Sequence, residues 1–224
     1  MTTPHPNTLD VPDISTDWYR GIVAFAQQTP DWVQSGLAVL TDGGVIVLLA
    51  FVLLAAWRAR TRSAEHMALV ALAPVGAALA YGVNLITKGL LEERRPCRVL
   101  DVDPISECPP PGDWSFPSNH AVVAMALAVG ILLTWRRLGI AAILLALVVC
   151  YSRVFLGEHY PHDVVVGAML GAAVSLLVAL ALSGVITTLV RRLRGYRVTG
   201  IVLGPGRSAG PSTGVNCPSR TPGG

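Results

Sequence analysis

Long apolar stretches without charged side chains constrain this chain more than any other feature of its sequence. A helix that crosses a bilayer needs about 20 apolar residues. A soluble domain of 224 residues would not be 52% hydrophobic and only 14% charged. We therefore predict an all-α fold, a polytopic transmembrane helix bundle with five spans. The predicted spans are Gly36–Trp57, Met67–Thr87, Asn119–Trp135, Leu138–Ser152 and Val164–Val190.

The segment before the first span is less apolar than the spans themselves. Trp18–Gln34 mixes large apolar side chains with charged residues and a proline, which favours a helix that lies at the membrane interface. The alternative is a sixth crossing. Asp42, the one charge inside the first span, is expected near the outer end of that span.

Composition divides the chain into three parts. Residues 1–17 are predicted to form a polar N-terminal tail, and residues 18–194 the transmembrane domain. Residues 195–224 become rich in Gly, Pro and Ser from about Gly200. Because such a composition cannot bury a core, we expect a disordered tail on the cytoplasmic side.

Arginines in the short loops predict how the bundle is oriented. They cluster after the first, third and fifth spans, so the three clusters lie on one side of the membrane, which the positive-inside rule identifies as the cytoplasm. The loops Lys88–Ser118 and Arg153–Asp163 then lie on the extracytoplasmic side. The clusters are Arg58, Arg60 and Arg62, then Arg136 and Arg137, then Arg191, Arg192, Arg194 and Arg197.

The basic residues do not indicate a nucleic-acid partner. The net charge is only +3, and the arginines stand beside apolar spans, not in a basic surface interleaved with aromatic residues. Membrane lipid is the partner that this pattern favours. Nothing in the sequence indicates an oligomeric state.

Three short segments place ionisable side chains at the ends of the predicted spans, all on the extracytoplasmic side. Ionisable groups are costly to bury there, so they need a partner or a ligand. Snorkelling side chains would explain one segment, but not three on one face. Cations, histidines and a carboxylate together are typical of a phosphate-transfer site. These first, second and third motif segments are Lys88–Pro96 (KGLLEERRP), Pro117–His120 (PSNH) and Ser152–Asp163 (SRVFLGEHYPHD).

The side-chain types suggest how such a site would hold phosphate. The forked donors of Arg95 and Arg153 match phosphate oxygens. Lys88, the only lysine in the chain, adds a compact positive charge, and Ser118 adds a hydroxyl. Together these four side chains would form a phosphate cradle.

The histidines suggest the chemistry. His159 and Asp163 are four residues apart where the fifth span begins, so they share a face if the helix extends back over them. Asp163 would then hold Nδ1 of the imidazole and leave Nε2 free to attack phosphorus. His120 would protonate the leaving oxygen as a general acid. The remaining histidines, His5, His66 and His162, are expected to be solvated.

A metal site is the competing interpretation of two histidines and a carboxylate. Three cations beside the histidines would repel Mg²⁺ or Zn²⁺, and the carboxylates nearby are too few to offset that repulsion. We therefore expect no metal and no other cofactor.

Two of the four cysteines, Cys97 and Cys108, lie in the loop predicted to face the oxidising compartment. A disulfide between them would brace the segment that carries Arg95, and two free thiols are the alternative. Cys150, within a span, and Cys217, in the tail, are expected to be inert.

The spacing K-x6-R-P, P-S-x-H and S-R-x5-H-x3-D in the three motif segments resembles the three signatures of the type 2 phosphatidic acid phosphatase family. The resemblance extends over about Trp18 to Arg194. It implies that His159 forms a phosphohistidine, with Asp163 as its partner and His120 as the acid. Asn119 stands where the family often has Gly, so its amide would still face phosphate while its side chain narrows the pocket. By the same resemblance, phosphate would be held by Lys88, Arg95, Ser118 and Arg153.

The resemblance implies a multi-pass phosphatase of the plasma membrane that acts on a lipid phosphate or a polyprenyl diphosphate at the extracytoplasmic face. Undecaprenyl diphosphate is one candidate substrate, since outward-facing members of the family often recycle that carrier; phosphatidic acid and phosphatidylglycerol phosphate stay open, and the apolar spans do not decide among them. A vanadium haloperoxidase carries similar signatures, but such enzymes resemble soluble proteins. A lipid carrier or scaffold without hydrolysis would not need the nucleophile.

Overall fold

The computed structural model describes residues 11–196, and every regular element in this range is an α-helix. Long apolar segments form helices here because a helix satisfies all of its own backbone hydrogen bonds, as lipid requires. The helices are α1 (Asp13–Gln27), α2 (Asp31–Ala59), α3 (Ala64–Leu91), α4 (Pro96–Val99), α5 (Asn119–Thr134), α6 (Arg136–Phe155) and α7 (Pro161–Leu193).

Four helices, α2, α3, α6 and α7, are long and apolar enough to cross a membrane, and α5 is apolar but shorter, with 16 residues. Each of the five contains one predicted span to within a residue at its ends. The predicted all-α transmembrane bundle is therefore confirmed.

The N-terminal region differs from the prediction. The segment Trp18–Gln34 is not one helix, because α1 ends at Gln27 and residues 31–34 already belong to α2. Pro30 explains the division, since it occupies the N-cap of α2 and has no N–H to continue α1. Helix α1 also begins at Asp13, inside the predicted polar tail. Residues 1–10 and the predicted tail beyond residue 196, with Arg197 and Cys217, lie outside the described residues.

Helix α5 is the centre of the bundle and packs against α3, α6 and α7. Small residues allow these helices to approach closely. A Cβ on Gly130 would lie 2.5 Å from Cβ of Ala73 in α3, and one on Gly171 of α7 would lie 2.2 Å from the carbonyl oxygen of Val122. The result is a core of close backbone contacts that fixes the end of α5 relative to α7.

The arginine clusters meet at one end of the bundle, as predicted because the loops after the first, third and fifth spans lie on the same side of the membrane. The guanidinium of Arg58 lies 4.5 Å from the ring centroid of Trp135, beside the second cluster. Arg194 of the third cluster donates a hydrogen bond of 2.9 Å to the carbonyl of Arg62 in the first. The three motif segments lie at the opposite end.

Helix α1 packs across that opposite end. Its buried side chains, Ser15, Tyr19, Val23 and Ala26, recur every three or four residues, which places them on one face. The Tyr19 hydroxyl donates to the carbonyl of Gly157 at 3.0 Å, between α6 and α7. Trp18 and Phe25 are exposed. An amphipathic helix in this position fits the predicted interfacial location, and α1 is not among the helices apolar enough to span.

Candidate active site

The ends of five segments bring the predicted site residues together. Lys88 lies in the last turn of α3, Arg95 directly precedes α4, Ser118 is the N-cap of α5, Arg153 lies in the last turn of α6 and Asp163 lies in the first turn of α7. All five are buried, as is His159 in the α6–α7 loop.

The second and third motif segments meet through backbone contacts. The Ser118 amide donates to the carbonyl of Asp163 at 3.1 Å. A Cβ on Gly167, one turn further along α7, would lie only 2.9 Å from the carbonyl oxygen of Ser118. Glycine at this position therefore permits the approach that holds the start of α5 against the start of α7.

His159 and Asp163 form a buried pair. Nδ1 of His159 lies 3.2 Å from Oδ2 of Asp163, which also accepts from the Tyr160 amide at 2.9 Å and from the hydroxyl of Ser115. The pair does not share a helix face, because α7 begins at Pro161 and His159 precedes it. A turn closed at the N-cap by the Asp163 carboxylate brings the two side chains together instead.

Arg95 determines which nitrogen of His159 carries the proton. Its Nη1 lies 3.2 Å from Nε2 of His159 and donates to the carbonyl of Glu158 at 3.1 Å. A guanidinium can only donate hydrogen bonds, so Nε2 is the acceptor. The ring proton is therefore on Nδ1, which donates a hydrogen bond to Asp163. In this tautomer the lone pair is on Nε2, where it accepts from Arg95; a phosphate that took over the Arg95 donor would free this lone pair for attack on phosphorus.

The surroundings keep His159 neutral. Burial, reinforced by the positive charges of Arg95, Arg153 and Lys88, holds the pKa of His159 well below its usual 6.5. A neutral imidazole is the nucleophilic form of histidine, so this environment keeps His159 in that form in mildly acidic conditions.

This pKa gives a prediction for the pH profile. We expect the acid limb of kcat/KM, followed by released phosphate, to lie below pH 6.5, because His159 stays neutral until the pH reaches its depressed value. The unfolded histidine binds a proton at about pH 6.5 and the folded one does not, so stability should also fall as the pH drops below 6.5. An acid limb at or above 6.5 would contradict the assignment of His159.

The cradle cations are paired with two carboxylates that the sequence analysis missed. Asp113 lies between two of them, with Oδ1 at 3.3 Å from Nζ of Lys88 and Oδ2 at 3.0 Å from Nη2 of Arg95. Arg153 contacts the carboxylate of Glu158. Glu158 also accepts from the hydroxyl of Ser106 at 3.1 Å. Glu158 directly precedes His159 within the third motif segment, so the sequence alone could have pointed to it.

Asp113 holds the two cations in an arrangement that also suits an anionic ligand. Burial raises its pKa, but the charges of Arg95 and Lys88 outweigh burial and hold the pKa below its usual value. The carboxylate is half-exposed, with 40% of its side chain accessible. A phosphate that entered here would compete with Asp113 for the same two cations.

Several buried polar atoms among residues 11–196 have no hydrogen-bond partner, and two of them belong to the predicted cradle. These two are Oγ of Ser118 and Nε of Arg153. Buried polar atoms are nearly always paired, so each such atom calls for an explanation. Phosphate oxygens are hydrogen-bond acceptors, so a bound phosphate would provide a partner for both the Ser118 hydroxyl and the Arg153 guanidinium.

Asn119 and His120 turn towards other helices. Oδ1 of Asn119 accepts from the buried amide of Asn84 in α3 at 2.6 Å. Nε2 of His120 lies 2.9 Å from Oδ1 of Asp42 in α2. Both side chains line a cavity of about 450 Å³ that also includes Asp42 and the apolar side chains Val45, Ile46, Tyr81 and Val123. No hydrogen bond links His120 to the other predicted site residues of the described chain.

His162 is not solvated as predicted. Its Nδ1 lies 2.7 Å from the hydroxyl of Ser15, and its Nε2 lies 3.1 Å from Oε1 of Glu93 and 3.2 Å from Oδ1 of Asp163. Glu93, His162 and Asp163 are close enough to hold a metal ion. An imidazole that donates to Glu93 and lies beside the Asp163 carboxylate also accounts for this cluster without a metal ion. Of the other two, His66 is exposed, and His5 lies outside the described residues.

The structure joins Cys97 and Cys108 in a disulfide, with Cα atoms 5.9 Å apart. The bridge closes the loop that follows Arg95.

In the chain-entropy model, closing a loop of about a dozen residues contributes roughly 3 kcal/mol. We expect Cys97→Ser and Cys108→Ser each to lower the midpoint of thermal unfolding and to weaken substrate binding, with the double variant no worse than either. Free thiols at both positions in oxidising buffer, detected by alkylation and mass spectrometry, would contradict this.

Comparison with known proteins identifies the fold and the family. Residues 68–187, more than half of the chain, match the sequence model of the PAP2 superfamily. The chain belongs to this superfamily. The resemblance drawn from the motif segments is thereby confirmed, because the matched range contains all three.

Several relatives of this PAP2 superfamily member are named phosphatases. The undecaprenyl-diphosphatase of Sulfolobus acidocaldarius is 36% identical over 100 residues, which are 44% of this chain and 48% of that protein. The undecaprenyl-diphosphatase BcrC of Bacillus subtilis is 30% identical over 134 residues, 59% of this chain and 66% of that protein. The chain thus spans about half to two thirds of the length of these relatives.

A fold similar to that of this PAP2 chain is known from the crystal structure of another protein. The transmembrane PAP2 type phosphatidylglycerolphosphate phosphatase from Bacillus subtilis superimposes with a TM-score of 0.56 at 22% identity, over 75% of this chain and 85% of that one. At that identity the likeness concerns the fold alone. With the apolar helices, it establishes a multi-pass membrane protein.

Proposed function

We propose that this protein is a membrane phosphatase that removes the terminal phosphate of a polyprenyl diphosphate or another lipid phosphate through a phosphohistidine. The observation that carries the proposal is the buried His159, with Nδ1–H directed at Asp163 and Nε2 accepting from Arg95. A nucleophile fixed in one tautomer beside a phosphate-binding guanidinium suits attack on phosphorus. In our proposal 18–194 is the phosphatase domain.

In the first step, Nε2 of His159 attacks the terminal phosphorus and the bond between that phosphorus and the leaving oxygen breaks. His120 donates a proton to the leaving oxygen. Asp163 stabilises the positive charge that forms on the phosphorylated imidazole, as an orienting carboxylate does. Lys88, Arg95 and Arg153 stabilise the charge on the transferred oxygens.

In the second step, water attacks the phosphohistidine. His120, now neutral, accepts a proton from that water, and the P–N bond breaks to release phosphate and neutral His159. The proton that His120 gave away in the first step is thus recovered. Phosphate stabilisation comes from the cradle cations, so the proposed reaction needs no divalent ion.

The substrate that we propose is undecaprenyl diphosphate, because two relatives are named for its hydrolysis. The largely apolar cavity beside His120 suits an isoprenoid chain that enters from the bilayer. Phosphatidic acid and phosphatidylglycerol phosphate are the alternatives within the same chemistry.

The test is release of phosphate by the purified protein in detergent from each of these three lipids, with and without EDTA. We expect the highest kcat/KM with the polyprenyl diphosphate and an unchanged rate in EDTA. Binding of the lipids without phosphate release would favour a carrier or scaffold and overturn the proposal. Loss of activity in EDTA with recovery on adding Mg²⁺ would overturn the metal-free mechanism.

We also propose a location, with the protein in the plasma membrane and the site on the extracytoplasmic side. The support is the arginine-rich end opposite the site. A single cysteine at Asp101 should react with a membrane-impermeant maleimide in intact cells, whereas one at Thr61 should react only after permeabilisation. Both positions are exposed, so they form a matched pair. The reverse labelling pattern would place the site in the cytoplasm.

A further inference from the structure

Helix α2 carries no motif segment, yet two consecutive side chains of α2 contact motif residues. The Thr41 hydroxyl lies 2.7 Å from the hydroxyl of Ser152, in a buried contact with the third segment. Oδ1 of Asp42 lies 2.9 Å from Nε2 of His120, in the second segment. The Thr41–Asp42 pair therefore connects α2 to both segments that carry the proposed chemistry.

An acidic side chain at this place in α2 needs an explanation. Asp42 interrupts an apolar helix that is long enough to span the membrane, where ionisable groups are rare and mark functional sites. Its side chain is 77% exposed and lines the cavity beside His120. The imidazole of His120 is the partner that offsets the cost of this carboxylate.

His120 in turn needs a carboxylate. It is the second residue of α5, where the positive end of the helix dipole disfavours a protonated imidazole. Arg153 of α6 adds positive charge, and Glu158 of the α6–α7 loop is already paired with that arginine. A general acid must nevertheless carry a proton at the start of the reaction. Asp42 is the carboxylate in hydrogen-bond contact with it.

We infer that Asp42 is a positioning residue for His120, holding Nε2–H so that Nδ1–H donates to the leaving oxygen in the first step. In the second step Nδ1 takes a proton from the attacking water while Nε2 stays bound to Asp42. The inference rests on the proposed phosphatase reaction. Asp42 does not touch the transferred phosphate in this scheme and acts only through His120.

A close glycine contact two residues after Asp42 brings α2 near α6. A Cβ on Gly44 would lie 2.5 Å from Cγ2 of Val149 in α6, whereas one on Gly43 would meet nothing within 4 Å. Of these two glycines, only Gly44 lies where α2 packs tightly against α6. Displacement of α2 at this point would move Asp42 relative to His120.

The test compares substrates that differ in their need for a general acid. Dodecyl phosphate has a poor alkoxide leaving group, and p-nitrophenyl phosphate has a good one. We expect Asp42→Asn to lower kcat for dodecyl phosphate at least tenfold, part of the ~10²–10⁴-fold that general acid catalysis contributes. The rate with p-nitrophenyl phosphate should change less than threefold, and Asp42→Glu should recover part of the loss. Asp31→Asn, at an exposed position of the same helix, is the control.

A second pair of variants and a spectroscopic measurement separate positioning from a general loss of structure. Gly44→Ala should reproduce the selective loss with dodecyl phosphate, and Gly43→Ala should not. Histidine ¹⁵N NMR in micelles, at a pH at which His120 is neutral and with its signals assigned by comparison with His120→Gln, should show the Nε2–H tautomer in the wild type and a mixture of tautomers in Asp42→Asn.

Equal losses with both substrates, or an unchanged His120 tautomer, would overturn the inference. If the wild type released no phosphate from any substrate, the proposed function would fail. The NMR comparison would still decide whether Asp42 holds His120, so the two failures are distinguishable.

Discussion

The His159→Ala protein should lose turnover by on the order of 10⁴-fold or more, the scale on which removal of an enzyme's nucleophile acts. The side chain is 1% exposed, and its ring nitrogens lie 3.2 Å from Arg95 and from Asp163, two residues with a proposed role in catalysis. In the proposed mechanism, no covalent intermediate can form without Nε2 of this residue. The measurement is released phosphate, together with acid-labile ³²P retained on the wild-type protein after a rapid base quench and absent from the variant.

His66→Ala is the matched control, because His66 is an exposed histidine near the arginine-rich end. It should keep wild-type turnover. His159→Gln, which fills most of the same volume, controls for a cavity at a buried position and should be as inactive as the alanine variant. Turnover in either His159 variant within tenfold of the wild type would refute the phosphohistidine mechanism.

The sequence predicted the parts of this molecule that depend on patterns along the chain. Apolar stretches without charges predict membrane helices because lipid allows few alternatives. Parity then places Lys88, His120 and Arg153 at one end of the bundle. None of these inferences needs a side-chain conformation, and the arrangement of the helices agrees with them.

Contacts between distant segments could not be predicted in the same way. Asp113 pairs with Lys88 and Arg95 only because the loop before α5 folds back over them. His162 was expected in solvent, but α1 packs over it and provides Ser15 as a hydrogen-bond partner. Such contacts depend on where loops and an interfacial helix lie, and one sequence carries no periodic signal for that.

Asp42 is an intermediate case. The sequence singled it out as the one charge in the first span and indicated its approximate depth. The sequence could not indicate that α2 rotates this carboxylate towards His120 and not towards lipid. That orientation depends on how α2 packs against its neighbours, including the close contact of Gly44 with Val149 of α6, and is a property of the packed helices.

Arg95 contacts more of the site than any other cradle residue described here. Its Nε and Nη2 contact the backbone and carboxylate of Asp113 at 2.9 and 3.0 Å, while its Nη1 contacts Glu158 and Nε2 of His159. A planar guanidinium can make these contacts at once because its five N–H donors point in fixed directions. The ammonium of lysine is a single point charge that cannot reach all three partners.

We therefore expect Arg95→Lys to lower kcat by about 10²–10³-fold, the effect of removing one preorganised donor of transition-state charge. Arg94→Lys, at the exposed neighbouring position, should retain wild-type kcat and is the matched control. Vanadate inhibition should weaken in the Arg95 variant alone. Equal kinetics in the two variants would show that only net charge matters. A raised KM with an unchanged kcat would instead mean that Arg95 binds the phosphate equally in the ground state and the transition state, and so contributes no additional stabilisation to the transition state.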